Sequence, residues 1–472
     1  MARDFQDLLP LGLEEVTGGH WLAGPPAGPI RGAAIDSRLL LPGQLFVAIR
    51  SDRDDGHRYL EEALRAGAAA ALVQEPRPRI PLAQLCVDDT ELALLSIAAA
   101  YRATISCPIV AVAGSYGKTT VKDLLATLLG RETCHATEGN WNNCRGMPLT
   151  LLGFRANVHR HAVLEVGISK PGEMGALAST LRPSHVIFTA LSHKHGEFFP
   201  SQRHLLEEKL RIAEFVDGWE GTFVTTTALA SDPALDHLRH RMVCVDDRAN
   251  PIPAPTNVPC LSFFRDGCSV AIHYPGESTP RRFSLPRPSD GFAQNFALCH
   301  AMAWKLGVSD GAMADRLTRW RWPDLRGQIF YDPVRSCVYY VDCYNSDLPS
   351  LVDAGRTFAR LFPKSPRLFV IGGMSELGTR SDTLHREAGM ALPFLPGDRF
   401  FLLGRETHPL RAALLSRSVP EKDAILFEAK EELQQALATF RGTIFFKGSR
   451  CYALESLIDL GRCLPVLPGT SP

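Results

Sequence analysis

Apolar runs of strand length alternate with helical patterns along most of the chain. In the first hundred residues, GAAIDSR (32–38), QLFVAIR (44–50) and AAALVQE (69–75) are apolar runs of strand length. A helical pattern covers residues 56–66, between the second and the third of these runs. The alternation predicts a small N-terminal α/β unit.

A second series of strands begins after Cys107 with IVAVAG (109–114), a continuous apolar run typical of buried parallel strands. Helical stretches separate the next strand candidates, and this order predicts a mainly parallel sheet with helices on both faces. The Pro-rich stretch 248–290 contains CSVAIHY (268–274), which we predict to be an isolated strand, and a helix is predicted at 292–307. The other strand candidates are HAVLEVGI (161–168), HVIFTAL (185–191), GTFVTTT (221–227) and MVCVDD (242–247).

The rhythm restarts after Pro323, where five strand candidates are each followed by a helical stretch. This pattern predicts a second doubly wound unit with a Rossmann-like order. The five runs are VYYVDCY (338–344), RLFVIGG (367–373), RFFLLG (399–404), AILFEA (424–429) and TIFFKG (443–448).

The predicted fold class is therefore α/β with three domains. A small N-terminal α/β domain spans residues 1–106, and a central phosphate-loop α/β domain with a mainly parallel sheet spans 107–324. A C-terminal Rossmann-like domain spans 325–472. Three domains also agree with the length of 472 residues, at about 150 residues per domain.

Composition and charge exclude several classes of protein. Lys plus Arg and Asp plus Glu both number 51, so the formal net charge of +0 argues against a polybasic binder of nucleic acid or of membrane surfaces. No apolar run reaches about 18 residues, and MARDFQDLL carries acids where a signal peptide has basic residues. The 12 cysteines form no CxxC pair. We expect a cytoplasmic protein without a nucleic-acid partner, membrane insertion, a zinc ribbon or a disulfide framework.

The sharpest local signal is GSYGKTT, residues 114–120, which lies between a predicted strand and a predicted helix. Glycines let backbone N–H groups approach phosphate oxygens, and the following helix N-terminus favours negative charge. Lys118 would reach the phosphates and the Thr119 hydroxyl would bind magnesium. The predicted nucleotide-binding residues of this loop are Gly114, Ser115, Gly117, Lys118, Thr119 and Thr120.

Two features qualify this prediction. The strict phosphate-loop pattern requires a glycine at the position of Val112, so the match is to a shorter GxxGKTT form, and the alternative is a glycine turn with a surface lysine. We favour ATP over GTP because the chain contains no N/T-K-x-D element to read guanine.

Three side chains are candidates for chemistry beside the loop. Glu165 ends a predicted strand and could hold magnesium, with a solvated strand-end acid as the alternative. His195 follows another parallel strand, where active sites form, although a loop histidine is usually solvated. Lys209 lies in a predicted helix, and most helix lysines are solvated.

Taken in order, the motifs resemble the Mur ligases over nearly the whole chain. IDSRLLLPGQLFVAI (35–49) is similar to the uridine-nucleotide-binding domain of these enzymes. The motifs that carry the rest of the resemblance are GSYGKTT, TEGNWNN (137–143), LEVGISKPGEM (164–174), VDCYNSDLPSL (341–351), VIGGMSELGTRSDTLH (370–385) and FKGSRCYALE (446–455). Each motif alone is weak, and the ordered set is specific.

The resemblance implies an ATP-dependent ligase of peptidoglycan synthesis. The type matched best adds D-alanyl-D-alanine to UDP-N-acetylmuramoyl-tripeptide through an acyl phosphate. ATP, two magnesium ions and a carbamylated Lys209 are the implied cofactors, and the two substrates are the implied small-molecule partners of a monomer. Carbamylation would turn the lysine into an anion that supports the second magnesium.

The resemblance also assigns site residues. The implied catalytic residues are Lys118, Glu165, His195 and Lys209. The implied magnesium ligands are Thr119, Glu165, His195 and Lys209. Besides the loop, the implied ATP-binding residues are Asn295, Arg326 and Asp342. The implied UDP-sugar-binding residues are Ser37, Arg38, Asn140, Asn142 and Asn143. The implied residues on the acceptor side are Tyr344 and Asn345.

Several positions depart from the family motifs. Tyr116 replaces the usual loop asparagine and places a bulkier group over the phosphates, Phe292 replaces an asparagine of HNxxN, and Gly373 replaces the aspartate of LGDM. Arg326 is one place out of register with the family arginine. The open alternatives are a related ligase that adds a diamino acid or acts in secondary metabolism, a non-catalytic nucleotide-binding paralogue, and a phosphate-loop kinase or GTPase.

Overall fold

The computed structural model of the chain describes residues 7–52, 54–192 and 198–466. The strands are β1 (His20–Trp21), β2 (Ala33–Ala34), β3 (Leu45–Val47), β4 (Ala70–Val73), β5 (Ala83–Cys86), β6 (Ile109–Ala113), β7 (Cys134–Ala136), β8 (His161–Glu165), β9 (His185–Phe188), β10 (Phe223–Thr226), β11 (Met242–Asp247), β12 (Cys260–Asp266), β13 (Ser269–His273), β14 (Arg281–Ser284), β15 (Gln328–Asp332), β16 (Cys337–Asp342), β17 (Arg367–Gly372), β18 (Arg399–Leu403), β19 (Ala424–Phe427), β20 (Thr443–Lys447) and β21 (Leu464–Pro465).

Helices connect most of these strands. They are α1 (Leu13–Thr17), α2 (Leu60–Arg65), α3 (Thr90–Ala103), α4 (Lys118–Leu129), α5 (Gly146–Leu152), α6 (Glu173–Leu181), α7 (Gln202–Leu210), α8 (Thr227–Ala230), α9 (Asp290–Lys305), α10 (Asp310–Thr318), α11 (Leu348–Leu361), α12 (Ser381–Ala391), α13 (His408–Ser416) and α14 (Lys430–Thr439). In the described ranges, no helix is both long and apolar enough to cross a membrane.

Residue contacts divide the described chain into two compact units. The first contains the described residues through Ala113, together with Leu129–Phe188 and Glu207–Phe223. The second contains Gly114–Leu128, Thr189–Leu206 and the described residues from Val224 onward. The predicted domain limits, at 106/107 and 324/325, are not tested by this division and stay a prediction.

The first unit contains a small sheet in the order β1-β5-β4-β3-β2. The pairs from β2 to β5 are parallel, and only the edge strand β1 runs antiparallel to β5. The predicted strand at 32–38 shortens to Ala33–Ala34, and the polar residues Asp36, Ser37 and Arg38 lie beyond its end. This sheet confirms the predicted N-terminal α/β unit.

The first unit also contains a parallel set of strands in the order β9-β6-β8-β7. β6 is buried over its whole length, which explains its uninterrupted apolar sequence. In the register of β6 and β8, Val112 lies opposite Glu165, and Ala113 lies opposite Phe188 of β9. Glu165 therefore stands at the carboxyl end of the strand next to β6.

In the second unit, β11 and β12 are parallel, whereas β13 pairs antiparallel with both β12 and β14. The prediction of an isolated strand at 268–274 is therefore wrong. The sequence reading missed β12 and β14 because exposed and buried residues mix along both of them.

The C-terminal sheet of the second unit has the order β19-β18-β17-β20-β16-β15-β21. Its strands from β16 to β20 are the five predicted runs, and they pair in parallel. Apolar clusters cover both faces: Phe369 and Phe445 belong to one cluster, and Val370 and Phe446 to the other. The alternation of side chains along parallel strands produces this division, and the predicted Rossmann-like pattern is confirmed.

Candidate active site

The glycines of the phosphate loop are required by their surroundings. The loop follows β6, and α4 begins at Lys118. Gly114 has φ +132° and a Cβ on it would collide with the Thr189 hydroxyl, while Gly117 has φ +81° and its Cβ would lie 3.0 Å from Asn295 Oδ1. Both positions lie in the backbone region that favours glycine. The predicted ATP-binding residue Asn295 therefore lies directly beside the loop.

Hydrogen bonds hold the loop against the segment that follows β9. The Ser115 N–H donates to the Ala190 carbonyl at 2.7 Å, and the Thr189 hydroxyl donates to the Tyr116 carbonyl at 2.5 Å. Lys118 Nζ donates to the Ser115 carbonyl at 3.3 Å. The ammonium group thus folds back over the loop, toward the place where phosphate oxygens would meet the loop N–H groups.

Tyr116 is the largest departure in the loop, and two acids act on it electrostatically: Asp347, directly before α11, and Asp353, within α11. Burial, followed by the carboxylates of Asp347 and Asp353, raises the pKa of Tyr116 to about 12, so the phenol is neutral at pH 7. Asp353 accepts from the Ser289 hydroxyl at 2.8 Å and from the Gly291 N–H at 3.1 Å, at the start of α9. Asp353 therefore joins α11 to the start of α9, and its charge acts on Tyr116 of the loop.

Arg326 reaches the loop although it is out of register in sequence. Its Nη2 donates to the Thr119 hydroxyl at 2.9 Å, and its guanidinium lies 4.2 Å from the ring centroid of Tyr344. The Tyr344 N–H donates to the Leu325 carbonyl at 3.2 Å. The structure thus brings together a predicted ATP-binding residue, a predicted magnesium ligand and a predicted acceptor-side residue. Thr120 occupies the first turn of α4.

Lys447 is a site residue that the sequence reasoning missed. It is buried at the end of β20, and its Nζ donates to Asp342 Oδ1 at 3.0 Å and to the Asn345 carbonyl at 2.9 Å. This ion pair orients the predicted ATP-binding aspartate and the predicted acceptor-side loop together. The available signal was the lysine of the FKGSR motif.

In the first unit, Glu165 is a buried acid with one free oxygen. Its Oε1 accepts from Asn142 Nδ2 at 2.7 Å, and its N–H donates to the Thr137 hydroxyl at 2.9 Å. Among the described residues, Glu165 Oε2 has no hydrogen-bond partner, although it is buried. Because an unpaired buried carboxylate oxygen is costly, this atom fits a cation ligand.

The other predicted magnesium ligands differ in what the structure shows of them. Lys209 is only 2% exposed, in the last turn of α7, so it is not the usual solvated helix lysine. His195 lies outside the described residues. Within the ranges that the structure covers, no group of three or more His, Cys, Asp and Glu side chains is arranged to hold a metal ion.

The predicted UDP-sugar residues form surface and turn contacts in the first unit. Ser37 donates to Glu62 at 3.0 Å, and Arg38 pairs with Asp36 at 2.7 Å. Asn143 Oδ1 accepts from the Gly146 N–H at 2.9 Å at the start of α5. Asn140, in the same turn, accepts through its carbonyl from the Asn142 N–H at 2.8 Å.

A cavity of about 510 Å³ lies beside these residues in the first unit. Asp36 and Trp141 line it together with His135, Arg155 and His159. His135 Nε2 donates to the Thr150 carbonyl at 2.6 Å, and the Arg155 N–H donates to His159 Nδ1 at 2.9 Å.

Among the described residues that line this cavity, Arg155 is the cation at neutral pH. Burial lowers the pKa of His135, and burial with His135 and Arg155 lowers the pKa of His159 to about 4, so both rings are neutral at pH 7. The sequence reasoning missed these three residues because no motif marks them.

Gly114→Ala is expected to destabilise the fold by about 2 kcal/mol, since a Cβ there would need a strained φ and would displace Thr189. Gly311→Ala is the matched control, because a Cβ on this residue of α10 meets nothing within 4 Å. The control should stabilise by up to about 1 kcal/mol. The measurement is the free energy of unfolding in urea, and equal values for both variants would contradict the proposed role of Gly114.

The fold and the loop define this chain as an α/β phosphate-loop protein with a Rossmann-like C-terminal part. The family model "Mur ligase middle domain" matches residues 112–242. The UDP-N-acetylmuramoyl-tripeptide--D-alanyl-D-alanine ligase of Synechocystis is 30% identical over 388 residues, covering 80% of this chain and 80% of the relative. The Escherichia coli ligase of the same name is 29% identical, covering 91% and 95%.

Solved structures give the same result for the fold. MurF from Acinetobacter baumannii has a TM-score of 0.76 at 24% identity, covering 94% of this chain and 96% of that one. MurF from Thermotoga maritima in complex with ADP has a TM-score of 0.72 at 24% identity, covering 92% and 96%. The predicted three-domain α/β architecture is confirmed. The chain belongs to the Mur ligase family, in the branch of these D-alanyl-D-alanine ligases, as the motifs indicated.

Proposed function

We propose that this chain joins the amine of D-alanyl-D-alanine to the terminal carboxylate of UDP-N-acetylmuramoyl-tripeptide, with cleavage of ATP to ADP and phosphate. The observation that carries the proposal is the phosphate loop with Lys118 and Arg326 in a chain that matches ligases of this name over nearly its whole length. The reaction belongs to peptidoglycan precursor synthesis, and we place it in the cytoplasm, with the enzyme as a monomer.

The chemistry has two steps. A carboxylate oxygen of the donor attacks the γ-phosphorus of ATP, the bond to the β-phosphate oxygen breaks, and ADP leaves. The neutral amine of the acceptor then attacks the acyl carbon, and the tetrahedral intermediate expels phosphate and loses a proton to solvent. Both steps gather negative charge, so the enzyme acts mainly by position and by opposite charge. Lys118 supplies a positive charge for this purpose, and the loop N–H groups supply partial positive charge.

Magnesium fits the residues proposed for it. The residues proposed as ligands of two magnesium ions are Thr119, Glu165, His195 and a carbamylated Lys209. The unpaired Oε2 of Glu165 is the observation in favour. When bound, magnesium neutralises charge on the transferred phosphoryl group. The burial of Lys209 is the observation that supports carbamylation, because a solvated surface lysine has no such role.

The remaining roles follow the three proposed domains, 1–106, 107–324 and 325–472. Besides the loop, the residues proposed to bind ATP are Asn295, Arg326 and Asp342. Those proposed for the acceptor side are Tyr344 and Asn345. Those proposed for the UDP-sugar are Ser37, Arg38, Asn140, Asn142 and Asn143. The cavity beside this last group has room for a nucleotide, and pockets of about 300–1,000 Å³ are usual for such ligands.

Arg155→Ala is expected to raise the KM for the UDP-muramoyl donor about tenfold, because Arg155 is the cation available to the diphosphate in this cavity. The KM for ATP and kcat should stay near wild type. Arg160→Ala is the control, since Arg160 is an exposed arginine of the same segment. Steady-state kinetics with each substrate varied separately measures the effect. An unchanged donor KM would exclude Arg155 from the donor site.

A coupled phosphate-release assay tests the proposed function. We expect release with UDP-muramoyl tripeptide and ATP only when D-alanyl-D-alanine is added. Release with UDP-muramoyl dipeptide and a free diamino acid instead would overturn the proposal in favour of the related ligase. Tight ATP binding without release for any amine would overturn it in favour of a non-catalytic paralogue.

A further inference from the structure

The C-terminal sheet has a topological switch point between β17 and β20. These strands are parallel neighbours, in the order β19-β18-β17-β20-β16. The chain leaves β17 toward β18 on one side and leaves β20 toward β21 on the other side. In open α/β sheets, ligands bind in the crevice outside the carboxyl ends of such a strand pair. The crevice here lies after Gly372 and Lys447.

Tyr452 fills this crevice with its ring. A Cβ on Gly372 would lie 2.9 Å from Tyr452 Cγ, and one on Gly373 would lie 2.6 Å from the hydroxyl. A Cβ on Gly404, directly after β18, would collide with the same hydroxyl. Only glycine fits at these three strand-end positions, because the tyrosine ring occupies the space beside them.

The hydroxyl of Tyr452 is fixed by an acid. It donates to Glu406 Oε2 at 2.6 Å, and this hydrogen bond lowers the pKa of Glu406. Burial, followed by Glu406, raises the pKa of Tyr452, so the phenol keeps its proton at neutral pH. The partners are thus a neutral donor and an anion, and the ring orientation is defined by one charge-assisted hydrogen bond.

The two loops that frame the crevice are also joined to each other. The Ser375 N–H donates to the Ser449 hydroxyl at 2.9 Å, and the Ser449 N–H donates to the Gly373 carbonyl at 3.2 Å. These two hydrogen bonds hold the loops after β17 and β20 together beside Tyr452. A fixed ring position is what discrimination between ligands of slightly different size requires.

We propose that Tyr452 determines which amine acceptor this ligase accepts, and that Glu406 positions it. The proposal rests on the proposed function. Gly373 stands where the family motif has an aspartate, and Tyr452 occupies the volume which that side chain would need. The ring limits the size of the second residue of the acceptor dipeptide, and a short dipeptide with small side chains is the ligand class that fits.

Tyr452→Ala should remove this ring. The KM for D-alanyl-D-alanine should rise about tenfold, and the kcat/KM for D-alanyl-D-valine relative to D-alanyl-D-alanine should rise about tenfold, since a pocket rejects one or two extra methyl groups by roughly that factor. Tyr452→Phe keeps the ring but loses the hydrogen bond to Glu406. Tyr452→Phe and Glu406→Gln should therefore both move the ratio part of the way toward that of Tyr452→Ala. The KM for ATP should stay unchanged in all three.

A second variant pair separates selectivity from folding. An aspartate side chain in place of Gly373 would compete with Tyr452 for one volume, so Gly373→Asp alone should raise the acceptor KM. Gly373→Asp combined with Tyr452→Ala should recover at least about tenfold in acceptor kcat/KM relative to Gly373→Asp. A double variant no better than Gly373→Asp would overturn the proposal. The proposal would also be overturned if the wild type is active and Tyr452→Ala leaves the ratio of kcat/KM for D-alanyl-D-valine to that for D-alanyl-D-alanine unchanged. A wild type without release for any amine would instead overturn the proposed function.

Discussion

Lys118→Ala is expected to lower kcat by about a thousandfold or more, because it removes the cation that we propose to meet the phosphates over the loop. The side chain lies at the start of α4 and folds over the Ser115 carbonyl, so its loss leaves the loop backbone intact. Phosphate release under saturating ATP, donor and acceptor measures the effect.

Lys364→Ala is the matched control, because Lys364 is an exposed lysine outside the loop. It should turn over at the wild-type rate, and both variants should unfold at the wild-type temperature. Turnover of Lys118→Ala within tenfold of wild type would contradict the role given to the loop lysine.

Lys209→Ala is expected to lose about two to three orders of magnitude in kcat, and short carboxylic acids such as acetate should restore part of it. Lys209 is 2% exposed, so removal of its side chain leaves a buried space. A small acid that enters this space would replace the carbamate and its charge. Phosphate release at increasing acetate concentration measures the rescue.

Lys209→Arg separates the carbamate from a positive charge. Arginine keeps the cation but forms no carbamate, so this variant should be as inactive as Lys209→Ala. Near-wild-type turnover in either variant would remove the carbamate from the account. The exposed Lys170→Ala, in the same unit, should remain fully active.

Most of the buried parallel strands were predicted correctly, and β5, which pairs in parallel with β4, was missed. β6 and β17 are buried on both faces, so their apolar runs are continuous and easy to recognise. β12, β14 and β15 were missed because they are partly exposed and carry mixed residues. Short partly exposed strands owe their pairing to neighbours distant in sequence, which a local pattern does not contain.

The same distinction applies to the site. The phosphate loop was predicted because its chemistry lies within seven consecutive residues, GSYGKTT. Lys447 was missed because its partners Asp342 and Asn345 lie far away along the chain. Arg155 was missed because the cavity that it lines is formed with residues distant in sequence, such as Asp36. Tyr116 was expected over the phosphates, and its electrostatic neighbours prove to be Asp347 and Asp353, which only the fold brings near.

The most direct test of the central claim follows the oxygen atoms of the donor. UDP-muramoyl tripeptide labelled with ¹⁸O in its terminal carboxylate is incubated with ATP, D-alanyl-D-alanine and the enzyme, and the released phosphate is analysed by mass spectrometry. Attack of the carboxylate on ATP predicts one ¹⁸O atom in each phosphate and one in the new amide. Formation of the amide with unlabelled phosphate would contradict activation of the donor as an acyl phosphate.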